Sequence, residues 1–300
     1  YLSQETSFGI KNMAKRMEEM SNGRIKTTVF VGGELVSSSD SLKAVRAGTL
    51  DIVHGCSYHW SEVKFAPVEA GMPMTWNNAV EAETLWEEFG FKEIIRKGYD
   101  QLGVHYLGPF WAAPYAITSK SSIQSLDDLR DIKIRDTTGP AKMFSKLDIS
   151  TVYMKPEEMY LALSTGQIDA VLYGGAAEYS QMSFPEVAPY YCTTFVVNPL
   201  TDSMIINKKL WKELPNDLRA IIQSAVYQAR WEYYDWVMGR EIKIRNDSYK
   251  GHTTSLSEED ILEMTNAAKA VWEEESTKSK LNAELVKKVK DFLQYIGRLQ

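Results

Sequence analysis

The sequence predicts an α/β protein built as two lobes, and three observations predict it. Strand and helix signals alternate from residue 10 onward, and one helix-turn-strand pattern occurs twice, 118 residues apart. The third is length: 300 residues exceed the ~100–200 of a typical single domain. Apolar residues at 44% and charged residues at 25% are ordinary for a globular chain and exclude disordered, collagen-like and coiled-coil classes. Forty acidic against 34 basic residues give a net charge of −6. That balance provides no general attraction to nucleic acid or anionic lipid. No apolar stretch approaches the ~18 residues that would span a bilayer, which argues against direct membrane insertion. The first residue, Tyr1 rather than Met, fits a removed signal peptide and an expression boundary alike.

The elements follow in order. After Thr6-Ser7-Phe8-Gly9, residues Ile10, Met13, Ala14, Met17 and Met20 recur at helical spacing, and Asn22-Gly23 supplies a stop. Residues 25–31 read as a strand ended by Gly32-Gly33. Ser38-Ser39-Asp40 precedes a helix carrying Leu42, Val45 and Ala47 to Gly48, and 50–54 read as a strand. Strand, helix and strand in that order predict a parallel sheet. The pattern Ala44-x3-Gly48-x-Leu50-Asp51-x-Val53 returns as Ala162-x3-Gly166-x-Ile168-Asp169-x-Val171, with a strand signal upstream of each copy, at 25–31 and 150–154. In both copies the glycine suits a left-handed turn at a helix C-terminus, and the aspartate falls just inside the next strand.

Residues 103–119 read as extended with a break at Gly108-Pro109, and 120–130 as a polar stretch with a short helix, the natural crossover between lobes. A strand starts at 131–136, and the apolar run 203–206 returns the chain to the first lobe. From Pro215, the residues Leu218, Ile221, Ile222, Ala225, Ala229, Trp236 and Val237 keep helical spacing. As one helix, 215–249 would measure about 50 Å and lie along both lobes; as two, it would break near Gly239. Ser257-Glu258-Glu259 caps another helix, and 283–299 form a last amphipathic one. The expected lobes are residues 1–119 plus 205–249 and residues 120–204 plus 250–300.

Catalytic and metal-binding motifs are missing from the sequence: there is no HExxH, GxSxG, P-loop, EF-hand loop or GxGxxG after a strand. The reading therefore calls for no cofactor and no metal ligands. Cys56 and Cys192 stand 136 positions apart without a CxxC, which excludes a disulfide scaffold or zinc ribbon. His54 falls in a strand, as a core or cleft-wall residue or as a base. The pairs Glu157-Glu158 and Glu258-Glu259 are explained by helix N-termini.

Arg135 is the best candidate anchor. It ends a strand in which Ile132 and Ile134 share one face and Lys133 and Arg135 the other. Thr137-Thr138-Gly139-Pro140 then starts a helix. Ligands of open α/β sheets bind beyond the carboxyl ends of strands, where a guanidinium holds a carboxylate through two parallel hydrogen bonds. A structural ion pair fits the same spacing. Aromatic residues gather at neighbouring strand ends: Tyr58 and Trp60, Phe110, Trp111 and Tyr115, and Tyr173 before Gly174-Gly175. They suit either core packing or the apolar walls of a pocket, and as walls they hint at a larger or ring-bearing acid.

The assembled segments resemble the DctP-type solute-binding proteins of TRAP transporters. The stretches that carry the resemblance are Gly33-Glu34-Leu35, SLKAVRAGTLDIVHG (41–55), LDDLRDIKIRD (126–136), PEEMYLALSTGQIDAV (156–171) and INKKLWKELPNDLRAII (206–222). GCSYHW (55–60) and AGMPMTW (70–76) look closest to the branch that binds 2-oxo and 2-hydroxy monocarboxylates. The resemblance implies a two-lobed periplasmic binding protein fold with a ligand cleft between lobes and a long helix spanning both. It also implies a non-catalytic periplasmic receptor that captures a small organic acid by lobe closure and delivers it to membrane permease subunits.

The family's carboxylate-binding arginine falls on Arg135 and a pocket-lining position on Tyr173. The candidate ligand-binding set is Arg135, Tyr173, Trp60, Tyr58, Tyr115, Trp111, Gly174 and Asn198. That branch often holds a bridging metal ion with a glutamine and a Trp-Glu pair. The corresponding places here, Pro114 and residues 195–198, do not supply those groups. The family also has a strand before its first helix, where Tyr1-Leu2 stands here. Two other classes compete: a periplasmic lyase or hydrolase acting on organic acids, against which the missing nucleophile-base pattern counts, and a sensory ligand-binding domain, which needs a transmembrane or signalling segment.

Overall fold

A computed structural model describes residues 4–136 and 138–299, without the side chains of residues 4–8 and 138. The expectations for Tyr1-Leu2 and for Thr137 lie outside the described residues. Among those described, nine strands occur: β1 (Ile52–Gly55), β2 (Val104–Trp111), β3 (Tyr115–Ser119), β4 (Lys133–Arg135), β5 (Ser150–Val152), β6 (Ala170–Gly174), β7 (Tyr190–Val197), β8 (Thr201–Asn207) and β9 (Thr253–Thr254). They form two sheets, ordered β1-β8-β2 and β5-β4-β6-β3-β7-β9. Each sheet belongs to one of two compact α/β units. The first unit is Tyr1–Ala70, Leu85–Ala112 and Thr201–Trp236, and the second is Gly71–Thr84, Ala113–Leu200 and Val237–Gln300.

This division differs from the expected lobes at four places. Residues 113–119 join the second unit because β3 pairs with β6 and β7. Residues 201–204 join the first because β8 pairs with β1 and β2 from its first residues. Residues 71–84 belong to the second unit, where Trp76 Nε1 donates to Pro199 O (2.8 Å) and Trp272 Nε1 donates to Pro73 O (2.9 Å). Residues 237–249 follow because Tyr249 is fully buried in the second unit's core.

In the first unit β8 lies antiparallel between β1 and β2. The expected parallel sheet is therefore corrected: β1 and β2 run the same way but are separated by the strand that returns 90 residues later. The expected strand at 25–31 is corrected as well. Its residues have no regular secondary structure and no ladder partner among the described residues, and Val31 N–H is taken by the Glu34 side chain at 2.9 Å. Gly108-Pro109 does not end a strand, since β2 continues through it with a bulge after Tyr106. The helix Gln4–Met20 packs Met13 and Met17 against Phe110, Met204 and Ile206 of the sheet and Ile222 and Ala229 of the long helix.

The second unit's sheet is mixed. β4 is parallel to β5 and β6, while β3 is antiparallel to both β6 and β7. The C-terminal ends of β4, β5, β6 and β7 therefore share one edge with the start of β3. The sequence echo is real at its turns. Gly48 and Gly166 adopt φ of +79° and +75°, and each N–H caps carbonyls of the preceding helix, Ala44 and Val45 in one copy, Ala162 and Leu163 in the other. Asp51 and Asp169 stand one residue before their strands rather than inside them. The long helix is a single element, Asn216–Asp247, unbroken at Gly239; its residues to Trp236 count with the first unit and those from Val237 with the second.

Candidate functional site

Five of the eight candidate residues lie along the shared edge of the second unit's sheet. Arg135 ends β4, Tyr173 and Gly174 end β6, Tyr115 opens β3 opposite Val197, and Asn198 follows β7. Arg135 is only 2% exposed. Its Nε and Nη2 groups donate to the carbonyl oxygen of Met154 at 3.1 and 3.0 Å, and Nη1 reaches Leu172 O at 3.4 Å. A guanidinium has five N–H donors, so two remain uncommitted to these carbonyls. The ring of Tyr173 lies 5.1 Å from Arg135 Cζ and that of Tyr153 lies 5.6 Å from it. Among the described residues no carboxylate pairs with this cation. Removing a guanidinium from water costs several kcal/mol when nothing of opposite charge repays it. Carbonyl dipoles and aromatic faces offset part of that cost; an anion would offset more. The structural ion pair, the competing sequence reading for Arg135, is not what surrounds it.

The end of β6 is held from behind. Tyr179 Oη accepts from the N–H groups of Tyr173 and Gly174 at 2.9 and 3.1 Å and donates to Ala116 O at 2.6 Å. Glu241 of the long helix, 1% exposed, accepts from Ala177 N–H at 2.9 Å and from Tyr191 Oη at 3.0 Å. Gly174 and Gly175 are small for a reason: a Cβ there would meet Glu178 Oε2 at 1.6 Å and Glu241 Oε1 at 2.2 Å. Asn198 donates from Nδ2 to Asn77 O at 3.0 Å, while its buried Oδ1 has no hydrogen-bond partner among the described residues.

The other three candidates belong to the first unit, and two need correction. Trp60 is 2% exposed, its Nε1 donates to Ser41 Oγ at 2.8 Å, and its ring sits edge-on to Tyr99. Trp111 is fully buried, edge-on to Trp86 and 5.4 Å from the Arg230 guanidinium. Both are packed among core aromatic side chains of the first unit rather than along the edge that carries Arg135. Tyr58 lies in the turn Ser57–His59 and is 40% exposed. Nearby, Glu69 is fully buried and accepts from Tyr99 Oη at 2.8 Å and Ser203 Oγ at 2.6 Å. Burial pushes its carboxyl up to about 7, against those hydrogen bonds. His54 is a core histidine, with its side chain 4% exposed, Nε2 3.3 Å from Asp202 and its ring 4.4 Å from Phe110.

Sequence reasoning missed Tyr153, Tyr179, Glu241 and the Met154 carbonyl. Tyr153 carried a usable signal, since it falls near the end of the strand predicted at 150–154 and strand ends gather ligands. The carbonyl and the two buttressing residues carried none. Among the described residues no group of three or more His, Cys, Asp or Glu is placed to hold a metal ion. Pro114 and residues 195–198 contribute no carboxylate, so the donor set that the resemblance associates with a metal is not formed there.

Residues 3–278 match the family described as DctP, bacterial extracellular solute-binding protein, family 7, and the chain belongs to that family. A monocarboxylate 2-oxoacid-binding periplasmic protein of Nostoc sp. is 30% identical over 228 residues, covering 75% of this chain and 62% of the relative. The chain thus spans less than two thirds of that relative's length. Among solved structures, a TRAP periplasmic solute binding protein from Ochrobactrum anthropi matches with a TM-score of 0.87 at 22% identity, over 99% of this chain and 93% of that one. Another, from Colwellia psychrerythraea with bound calcium and pyruvate, has a TM-score of 0.81 at 25% identity, over 98% of this chain and 91% of that one. No helix among the described residues is long and apolar enough to cross a membrane.

Proposed function

We propose that the protein is the periplasmic solute-binding component of a TRAP transporter, that it captures a small organic acid by its carboxylate, and that it passes the acid to a membrane permease. The observation that carries this reading is Arg135: a cation 2% exposed, anchored on backbone carbonyls and unpaired with any carboxylate among the described residues. Its two uncommitted N–H groups take the carboxylate, and Tyr173 covers one side of the guanidinium. Gly174, Tyr115 and the amide of Asn198 complete the edge on which the acid rests. The names of the Nostoc relative and the Colwellia complex, an oxoacid binder and a pyruvate complex, support the ligand class.

A thermal-shift screen of monocarboxylates against their uncharged amides tests the reading. Carboxylates are expected to raise the melting temperature in a saturable manner while the amides leave it unchanged. A screen in which no carboxylate raises it contradicts the proposal.

A further inference from the structure

We propose that Tyr153 selects an aromatic carboxylic acid by stacking against the ring of the acid that Arg135 holds. The inference rests on the anion-binding role proposed for Arg135 and adds the part of the ligand that Arg135 does not recognise. β5 is the parallel neighbour of β4, with Val152 in register with Arg135, so Tyr153 emerges one residue beyond the row that contains the guanidinium. Its ring centroid is 5.6 Å from Arg135 Cζ, close to the 5.1 Å of Tyr173. The two rings differ in their surroundings. Tyr173 is half-buried and packs against the second unit's core, whereas Tyr153 is 70% exposed.

Among the described residues, the Arg135 guanidinium is the one ionic, aromatic or hydrogen-bonding partner of Tyr153. A ring left 70% open to water makes no contribution to a core that would account for its placement. Set beside the proposed carboxylate anchor, it presents a flat apolar surface to whatever extends from the carboxylate. A ring-bearing substituent would cover that surface and gain stacking and burial together, whereas a methyl group would cover little of it.

The test uses pyruvate and phenylpyruvate as probes, which share the carboxylate and differ by the ring. Both are titrated by calorimetry into the wild-type protein and into Tyr153→Ala, Tyr153→Phe and Arg135→Ala. The expected result is a preference of roughly 10-fold for phenylpyruvate in the wild type, the size of one aromatic pair. It is expected to survive in Tyr153→Phe and to vanish in Tyr153→Ala with pyruvate affinity little changed. Arg135→Ala is expected to lose both ligands. A wild type that binds pyruvate as tightly as phenylpyruvate, or a preference unchanged in Tyr153→Ala, overturns the role of Tyr153 while leaving the carboxylate reading standing. Binding of neither probe to the wild type counts against the carboxylate reading itself and takes this inference with it.

Discussion

Arg135 donates from both Nε and Nη2 to one acceptor, the carbonyl oxygen of Met154, at 3.1 and 3.0 Å. That fork fixes the plane of the guanidinium before any ligand arrives, so little side-chain entropy remains to be lost on binding. A ligand-bound crystal structure is expected to keep both bonds, with the carboxylate on the remaining N–H groups. Rotation of Arg135 away from Met154 in such a structure would show that the preorganised state is not the binding state.

The two adjacent glycines at the end of β6 are expected to respond differently to a methyl group. Gly175→Ala drives its Cβ toward Glu241 Oε1, which is buried and pinned by Ala177 N–H and Tyr191 Oη. That overpacking is expected to cost about 2 kcal/mol. Gly174→Ala meets the far end of Glu178, an exposed side chain whose carboxylate accepts from Gly175 N–H at 3.2 Å; moving it gives up that bond, and the cost is expected to be about 1 kcal/mol. Urea denaturation of the two variants checks the contrast, and equal losses would contradict it.

Glu69 makes stability fall as pH rises. Its folded carboxyl is raised to about 7 by burial, whereas the ordinary value is 4.5. Between these values the unfolded chain releases a proton that the folded protein retains, so stabilisation present below pH 4.5 is lost as pH climbs through 7. The full shift corresponds to about 3 kcal/mol. Glu69→Gln is expected to flatten the change in urea midpoint between pH 5 and pH 8. An unaltered pH slope in that variant would remove Glu69 as its source.

The paired turns offer a matched test. Gly48→Ala and Gly166→Ala place a Cβ on backbones at φ of +79° and +75°, with no neighbour nearer than 3.6 Å in either case. Strain alone then sets the cost, at about 1–2 kcal/mol each. Calorimetric melting of both variants should give similar losses, and a loss confined to one would show that the echo is only sequence-deep.

The legible parts of the fold were those with local causes. Gly48 and Gly166 announced their turns because a left-handed C-cap needs a residue without a Cβ. The long helix Asn216–Asp247 announced itself by periodicity, and it runs through Gly239 without a break. What failed depended on partners remote in sequence. Residues 25–31 have strand composition but no described ladder, and β8 separates β1 from β2 although it lies about 90 residues after β2. The site divides likewise. Arg135 was visible as a cation at a strand end, while Trp60 and Trp111 were misplaced because an aromatic at a strand end looks the same whether it faces a ligand or a core. Met154 contributes a backbone atom, which no side-chain pattern can reveal.

Calorimetric titration of the monocarboxylate that most raises the melting temperature, into wild-type protein and Arg135→Lys, tests the central claim most directly. The account predicts one saturable site in the wild type and a loss of about 2 kcal/mol, roughly 30-fold in affinity, in the variant, because an ammonium cannot hold Met154 O and a carboxylate through one planar fork. Wild-type affinity in Arg135→Lys would contradict it and remove Arg135 from the site.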